Sequence, residues 1–194
     1  MPTTAPSTTR TTAPPPVRAT VVVLGDSISR LSEPEIEGAL AEGYEMVEQS
    51  RDGKTIAEQT SRAALHARGG QGRRADAMLI ELGTNDLFNA TPDPTGDIRR
   101  LAAIVSDVPC VVWHSVIEYP NNVNAEARRI NRELRRVALS KRNFYFTDMI
   151  PLVYNNPGAV GRDSVHPSQI GRLYVAAMYA NDLTEHCRLP PVPL

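Results

Sequence analysis

Cysteine is scarce in this chain of 194 residues: there are two, Cys110 and Cys187, and no Cys-x-x-Cys pair. Two thiols without clustered histidines do not make a zinc site. They leave two readings open. One is a disulfide tying the C-terminal helix to the fourth strand; in the other, Cys110, inside Val-Pro-Cys-Val-Val, is a small buried hydrophobe. Excess charge is missing too. Twenty-one Lys and Arg stand against 22 Asp and Glu, a formal net charge of −1, so nothing predicts strong attraction to nucleic acid or to anionic membranes. The arginine pairs 73–74, 99–100, 128–129 and 135–136 are dispersed among acids and read as solvated helix faces. Uninterrupted apolar runs stay far short of the roughly 20 residues that a membrane-spanning helix needs.

What is present is enough apolar content, 41%, for one domain with a sizeable core. The first sixteen residues stand apart, with six Thr and five Pro and almost nothing that could enter a core. Residues 1–18 are therefore expected as a disordered, stalk-like linker, and residues 19–194 as the folded domain. A linker of this composition suggests an exported protein, secreted or tethered to the cell envelope; a cytoplasmic protein with a disordered N-terminus is the alternative.

Behind the linker, strand-like and helix-like patterns alternate. Continuous apolar or β-branched runs predict strands at 20–24, 77–82 and 109–116, with shorter ones at 44–48 and 144–146. Helices are expected at 34–42, 55–67, 95–106, from 123 onward, and at 168–186. In the helix after 123, Val123, Ala127, Ile130, Leu134 and Val137 fall on one face. In the last helix Ile170, Leu173, Ala177 and Ala180 are expected to face inward, and residues 151–161 read as loop. The alternation implies an α/β domain, a parallel sheet covered by helices on both faces. Ligands of such sheets bind at the carboxyl ends of the strands.

The polar clusters fall at those ends. Gly25-Asp26-Ser27-Ile28 follows the first strand, Arg51-Asp52-Gly53 the second and Gly83-Thr84-Asn85-Asp86 the third; Asp163-Ser164-Val165-His166 lies in a late loop. A strand-to-helix turn can present the Ser27 hydroxyl to solvent. A carboxylate three residues before an imidazole can fold back onto it. Serine, histidine and aspartate are the parts of a nucleophilic acyl-transfer site.

Together the four clusters, in order and approximate spacing over about residues 19 to 187, resemble the SGNH subgroup of the GDSL hydrolases. The resemblance implies a three-layer α/β/α, flavodoxin-like fold with a five-stranded parallel sheet. It casts Ser27 as nucleophile, His166 as general base and acid, and Asp163 as the group that orients His166. It also implies an oxyanion hole made by the backbone N–H of Ser27, the backbone N–H of Gly53 and the side-chain amide of Asn85. No metal and no cofactor are implied. Asp26 is a rival for the acidic role but is expected to brace the loop, and Asp86 to hold its turn. Ser164 stands where the family frequently has glycine. Residues 111–119 match no subfamily motif, so His114, Glu118 and Tyr119, at the end of the fourth strand, are candidate substrate-binding residues; for His114 a satisfied buried role is the competing reading. Trp113 is expected in the core.

The leading functional expectation is a serine esterase acting on short acyl esters, acetyl above all, of a small molecule or a carbohydrate. An O-acyltransferase of cell-envelope sugars uses the same residues and is the alternative. A non-catalytic carbohydrate-binding domain is the second alternative.

Overall fold

The computed structural model describes residues 18–70, 72–118 and 124–190. The expected linker and Tyr119 fall outside them, Arg18 excepted. Five strands, β1 (Ala19–Gly25), β2 (Tyr44–Glu48), β3 (Ala77–Glu81), β4 (Cys110–His114) and β5 (Phe144–Thr147), form one parallel sheet in the order β2-β1-β3-β4-β5. Among the described residues seven α-helices accompany them: α1 (Ser27–Leu31), α2 (Glu33–Leu40), α3 (Ile56–Ala67), α4 (Thr84–Phe88), α5 (Pro94–Ile104), α6 (Asn124–Ser140) and α7 (Gln169–Glu185).

The central strands are buried along their length and largely apolar because both faces are covered. Val22 and Leu24 of β1 pack with Ile56, Ile98, Leu101, Ile130 and Leu134, the cluster under α3, α5 and α6. Val21 and Val23 face the other way, with Ile28, Ile36, Leu40, Val175 and Tyr179, the cluster under α1, α2 and α7. This is the expected three-layer architecture. The strand order reverses direction between β1 and β3, so the chain leaves their carboxyl ends toward opposite faces and opens a crevice between them.

Two local details differ from expectation, and a third decides a reading left open. Where residues 151–161 were expected as loop, the chain begins with a wide helical turn, Ile150–Tyr154, which buries Val153. In α7 the buried side is Gly171, Val175, Ala176, Met178, Tyr179, Asp182 and Leu183, while Ile170 and Leu173 are exposed. Both faces satisfy helical spacing. The one that packs is fixed by Gly171, where an added Cβ would collide with the Ala159 carbonyl, and by Tyr179, whose hydroxyl meets Ser29 Oγ at 2.7 Å. Finally, Cys110 and Cys187 are disulfide-bonded, with Cα atoms 5.4 Å apart, which selects the first of the two readings of the cysteines. No helix among the described residues is long and apolar enough to cross a membrane.

Candidate active site

Ser27 is the first residue of α1, two residues beyond the end of β1. The turn is held by Asp26, whose Oδ1 accepts the Ile28 N–H at 2.9 Å, an N-cap bond. Asp26 N–H in turn donates to the Glu81 carbonyl at 3.1 Å, which locks the turn to the neighbouring strand. Gly25 must lack a side chain, since a Cβ there would press into Ser29. Held in this way, Ser27 Oγ lies 2.9 Å from His166 Nε2.

His166 comes from a loop that carries its own framework. Its Nδ1 lies 2.7 Å from Asp163 Oδ2, while Asp163 Oδ1 accepts the backbone N–H groups of Val165 and His166, both at 3.0 Å. Gly161 N–H donates to the His166 carbonyl at 2.7 Å and closes the turn. Inside it Ser164 has φ +61°, the left-handed region, which accounts for glycine being the frequent residue there. The imidazole, and then the N–H groups of the turn, hold the Asp163 carboxyl down at about 2, well below the usual carboxylate range. With Nδ1–H donated to that carboxylate, Nε2 is left as the acceptor facing the serine hydroxyl.

Two further turns complete the rim. After β2 the chain bends through Gly53 at φ +71°, and Thr55 opens α3 with a reciprocal capping box to Glu58. After β3 it bends through Gly83 at φ +127°, where a Cβ would stand 2.6 Å from Val116 Cγ1. That turn delivers Asn85, whose Nδ2 donates to Asp26 Oδ2 at 2.9 Å. An amide nitrogen has two N–H groups, so the second stays available toward the cleft. Asp86, buried, accepts the Ile56 N–H at 3.0 Å and ties this turn to the start of α3; burial pushes its carboxyl up to about 6.

Ser27, Gly53, Asn85 and His166 all line one open cleft of about 450 Å³. Leu31, Phe88 and Val165 give it apolar walls, and Asp52 and Thr84 complete it. None of these five was given a role in the sequence: Asp52, Thr84 and Val165 lie inside the motifs quoted there, and Leu31 and Phe88 a few residues past two of them.

The expected contacts from the end of β4 are corrected. His114 is fully buried, with Nδ1 donating to the Ile80 carbonyl at 3.1 Å, Nε2 2.8 Å from Asp182 Oδ2, and its ring stacked on Tyr179 at 4.5 Å. Both ring nitrogens are engaged inside the protein, so it cannot touch substrate. Glu118 accepts from Asn131 Nδ2 at 3.2 Å and does not line the cleft. Trp113 is core, its indole N–H donating to the Leu82 carbonyl at 3.2 Å. A residue the sequence reading passed over is Glu81, a buried carboxyl within the apolar run Ala-Met-Leu-Ile-Glu-Leu.

No protein-family model matches the chain, and a search of curated proteins finds no significant match. Solved structures do match. The C-terminal catalytic domain of Streptococcus pneumoniae peptidoglycan O-acetyltransferase A superposes with a TM-score of 0.73 at 15% identity, over 90% of this chain and 98% of that one. The chain has the SGNH/GDSL hydrolase fold. A lipolytic G-D-S-L protein of Veillonella parvula (TM-score 0.72, 14% identity, 86% and 99% covered) shares it. So does a family 3 carbohydrate esterase of Clostridium thermocellum (0.67, 15%, 89% and 98%).

Proposed function

We propose that this protein is a serine esterase that removes short acyl groups, acetyl above all, from a carbohydrate or other small alcohol. The observation that carries the reading is the unbroken relay Ser27–His166–Asp163, with links of 2.9 and 2.7 Å, at an open cleft that Asn85 and Gly53 also line. His166 Nε2 takes the hydroxyl proton as Ser27 Oγ bonds to the ester carbonyl carbon. The carbonyl π electrons move onto oxygen, where the backbone N–H groups of Ser27 and Gly53 and the free N–H of Asn85 receive the oxyanion. Collapse breaks the bond to the alcohol, which leaves with the proton from His166; water then repeats the cycle and frees the acid. Asp163 keeps the imidazole in the working tautomer and offsets its charge.

A cleft this open, walled by Leu31 and Phe88 rather than by a long apolar channel, favours a small acyl group and leaves room for a bulky alcohol. The likeness to a carbohydrate esterase supports the same choice. The likeness to a peptidoglycan O-acetyltransferase domain favours a second reading, in which a sugar hydroxyl in place of water receives the acyl group. The disulfide between Cys110 and Cys187 belongs in an oxidising compartment, which supports export.

The test is turnover of p-nitrophenyl acetate, butyrate and octanoate by the wild type and by Ser27→Ala. Rates that fall with chain length and vanish in the variant support the esterase. An equally active Ser27→Ala removes the assignment. Acetate transferred to an added oligosaccharide faster than to water would select the transferase.

A further inference from the structure

Glu81 is 1% exposed and Asp26 is 0% exposed; their carboxyls adjoin beneath the serine turn, and Glu81 Oε2 meets no donor among the described residues. Strand register puts them there: Glu81 ends β3 directly opposite Gly25 of β1. Among the described residues no lysine or arginine bonds either carboxyl. The groups that face the pair are the backbone of Ser29, the Tyr179 phenol from α7, His166 across the turn, and the Asn85 amide; the charges of Glu48 and Asp182 act in turn on Tyr179.

We propose that Glu81 is a positioning residue for the oxyanion hole: as the neutral acid it donates its proton's hydrogen bond to Asp26. Asp26 then acts only as an acceptor, through Oδ1 to Ile28 N–H and through Oδ2 to Asn85 Nδ2. An acceptor at that point obliges Asn85 to present its nitrogen edge to Asp26. One N–H is thereby anchored and the other aimed into the cleft. The same carboxyl caps α1 and so holds the backbone of Ser27. A single interaction steadies two of the three proposed donors.

Proton bookkeeping supports the direction of the bond. Two adjoining carboxyls in a dry site cannot both ionise. Burial, and then the charge of Asp26, pushes Glu81 well above the usual carboxylate range, so Glu81 keeps the proton. Burial also raises Asp26, but bonds from Glu81, Ile28 and Asn85 hold it to about 6, so at pH 7 and above Asp26 carries the charge.

This inference rests on the esterase reading, and its experiment has one arm that does not. In protein labelled with ¹³C at glutamate carboxyls, one carbon, absent from Glu81→Gln, should keep the protonated shift at pH 7; if every glutamate carboxyl has titrated by pH 6, the proposal falls. In the kinetic arm, Glu81→Leu should lose about 10- to 100-fold in kcat with KM changed less than about threefold, because losing an oxyanion donor outright costs about 10²–10³. Glu81→Gln, which keeps a donor of the same reach, should recover most of that loss and restore the Asn85 side-chain ¹⁵N–¹H shifts. A folded Glu81→Leu with wild-type kcat overturns the proposal, as does a Glu81→Gln no better than a folded Glu81→Leu. Should Glu81→Leu not fold, the carboxyl ¹³C signal and the Asn85 amide shifts of Glu81→Gln decide. Failure of the esterase reading would look different: no wild-type turnover and no labelling of Ser27 by a fluorophosphonate, with the carboxyl signal unaffected.

Discussion

Reducing the Cys110–Cys187 bond should cost the fold about as much as truncating a large core side chain. The bridge closes 77 residues of chain, from the start of β4 to just past α7. In the chain-entropy model a loop of that size restricts the unfolded state by about 4.5 kcal/mol at 25 °C. Native strain and residual unfolded-state structure usually lower such figures, so about 3–4 kcal/mol is the expected loss. The assay is urea unfolding followed by far-UV circular dichroism, with and without a phosphine reductant, which leaves the sequence and the packing around Cys110 intact. With a slope of about 2 kcal/mol/M the midpoint should fall by roughly 1.5–2 M. A Cys110→Ala/Cys187→Ala variant should fall by somewhat more, since Cys110 is buried and its sulfur is lost from the core. Coincident curves for oxidised and reduced protein would refute the reasoning; two free thiols in the unreduced denatured protein would refute the bond itself.

Asp86 gives a prediction about pH. Its carboxyl titrates near 6 in the fold against 3.8 for the free side chain, because burial disfavours its charge. The folded state therefore binds the extra proton between those values. The resulting stability is fully present below about pH 4 and is lost as pH rises through 6, by at most about 3 kcal/mol. Asp86→Asn keeps an oxygen for the Ile56 N–H and removes the titration, so its stability at pH 7.5 should match or exceed wild type and the slope between pH 4 and 6 should flatten. A wild-type slope that persists in the variant would assign it elsewhere. Ser164→Gly relieves an exposed left-handed residue and should raise stability by about 1 kcal/mol, read as a higher Tm by calorimetry. A lower Tm would mean that the added freedom of the unfolded chain outweighs the relieved strain.

The strands were legible because parallel strands buried on both faces must be apolar without interruption, and runs such as Val21-Val22-Val23-Leu24 have few other uses. Three of the four motifs were legible because they follow strand ends, where the fold collects its loops, and the fourth because a carboxylate three residues before an imidazole can close on it within one turn. The inner face of α7 was not, because two sets of apolar residues satisfy the same 3.6-residue period and only the contacts at Gly171 and Tyr179 choose between them. His114 carried no local sign of its partner: Asp182 is 68 positions away and on another layer. Glu81 did carry a sign, a charge inside an apolar strand, but its meaning depends on Asp26, the neighbour of the Gly25 that pairs with it across the sheet.

Ser27 and His166 are 139 residues apart in the chain, and one 2.9 Å contact joins them. Asp163 and His166, by contrast, find each other within a turn that needs little beyond itself. During synthesis the serine turn emerges when most of the sheet is still unmade, and the histidine turn only in the last sixth of the chain. On the proposed roles, the serine therefore stays without its base through most of the chain's synthesis, and the relay closes only once the loop before α7 has been laid across the crevice.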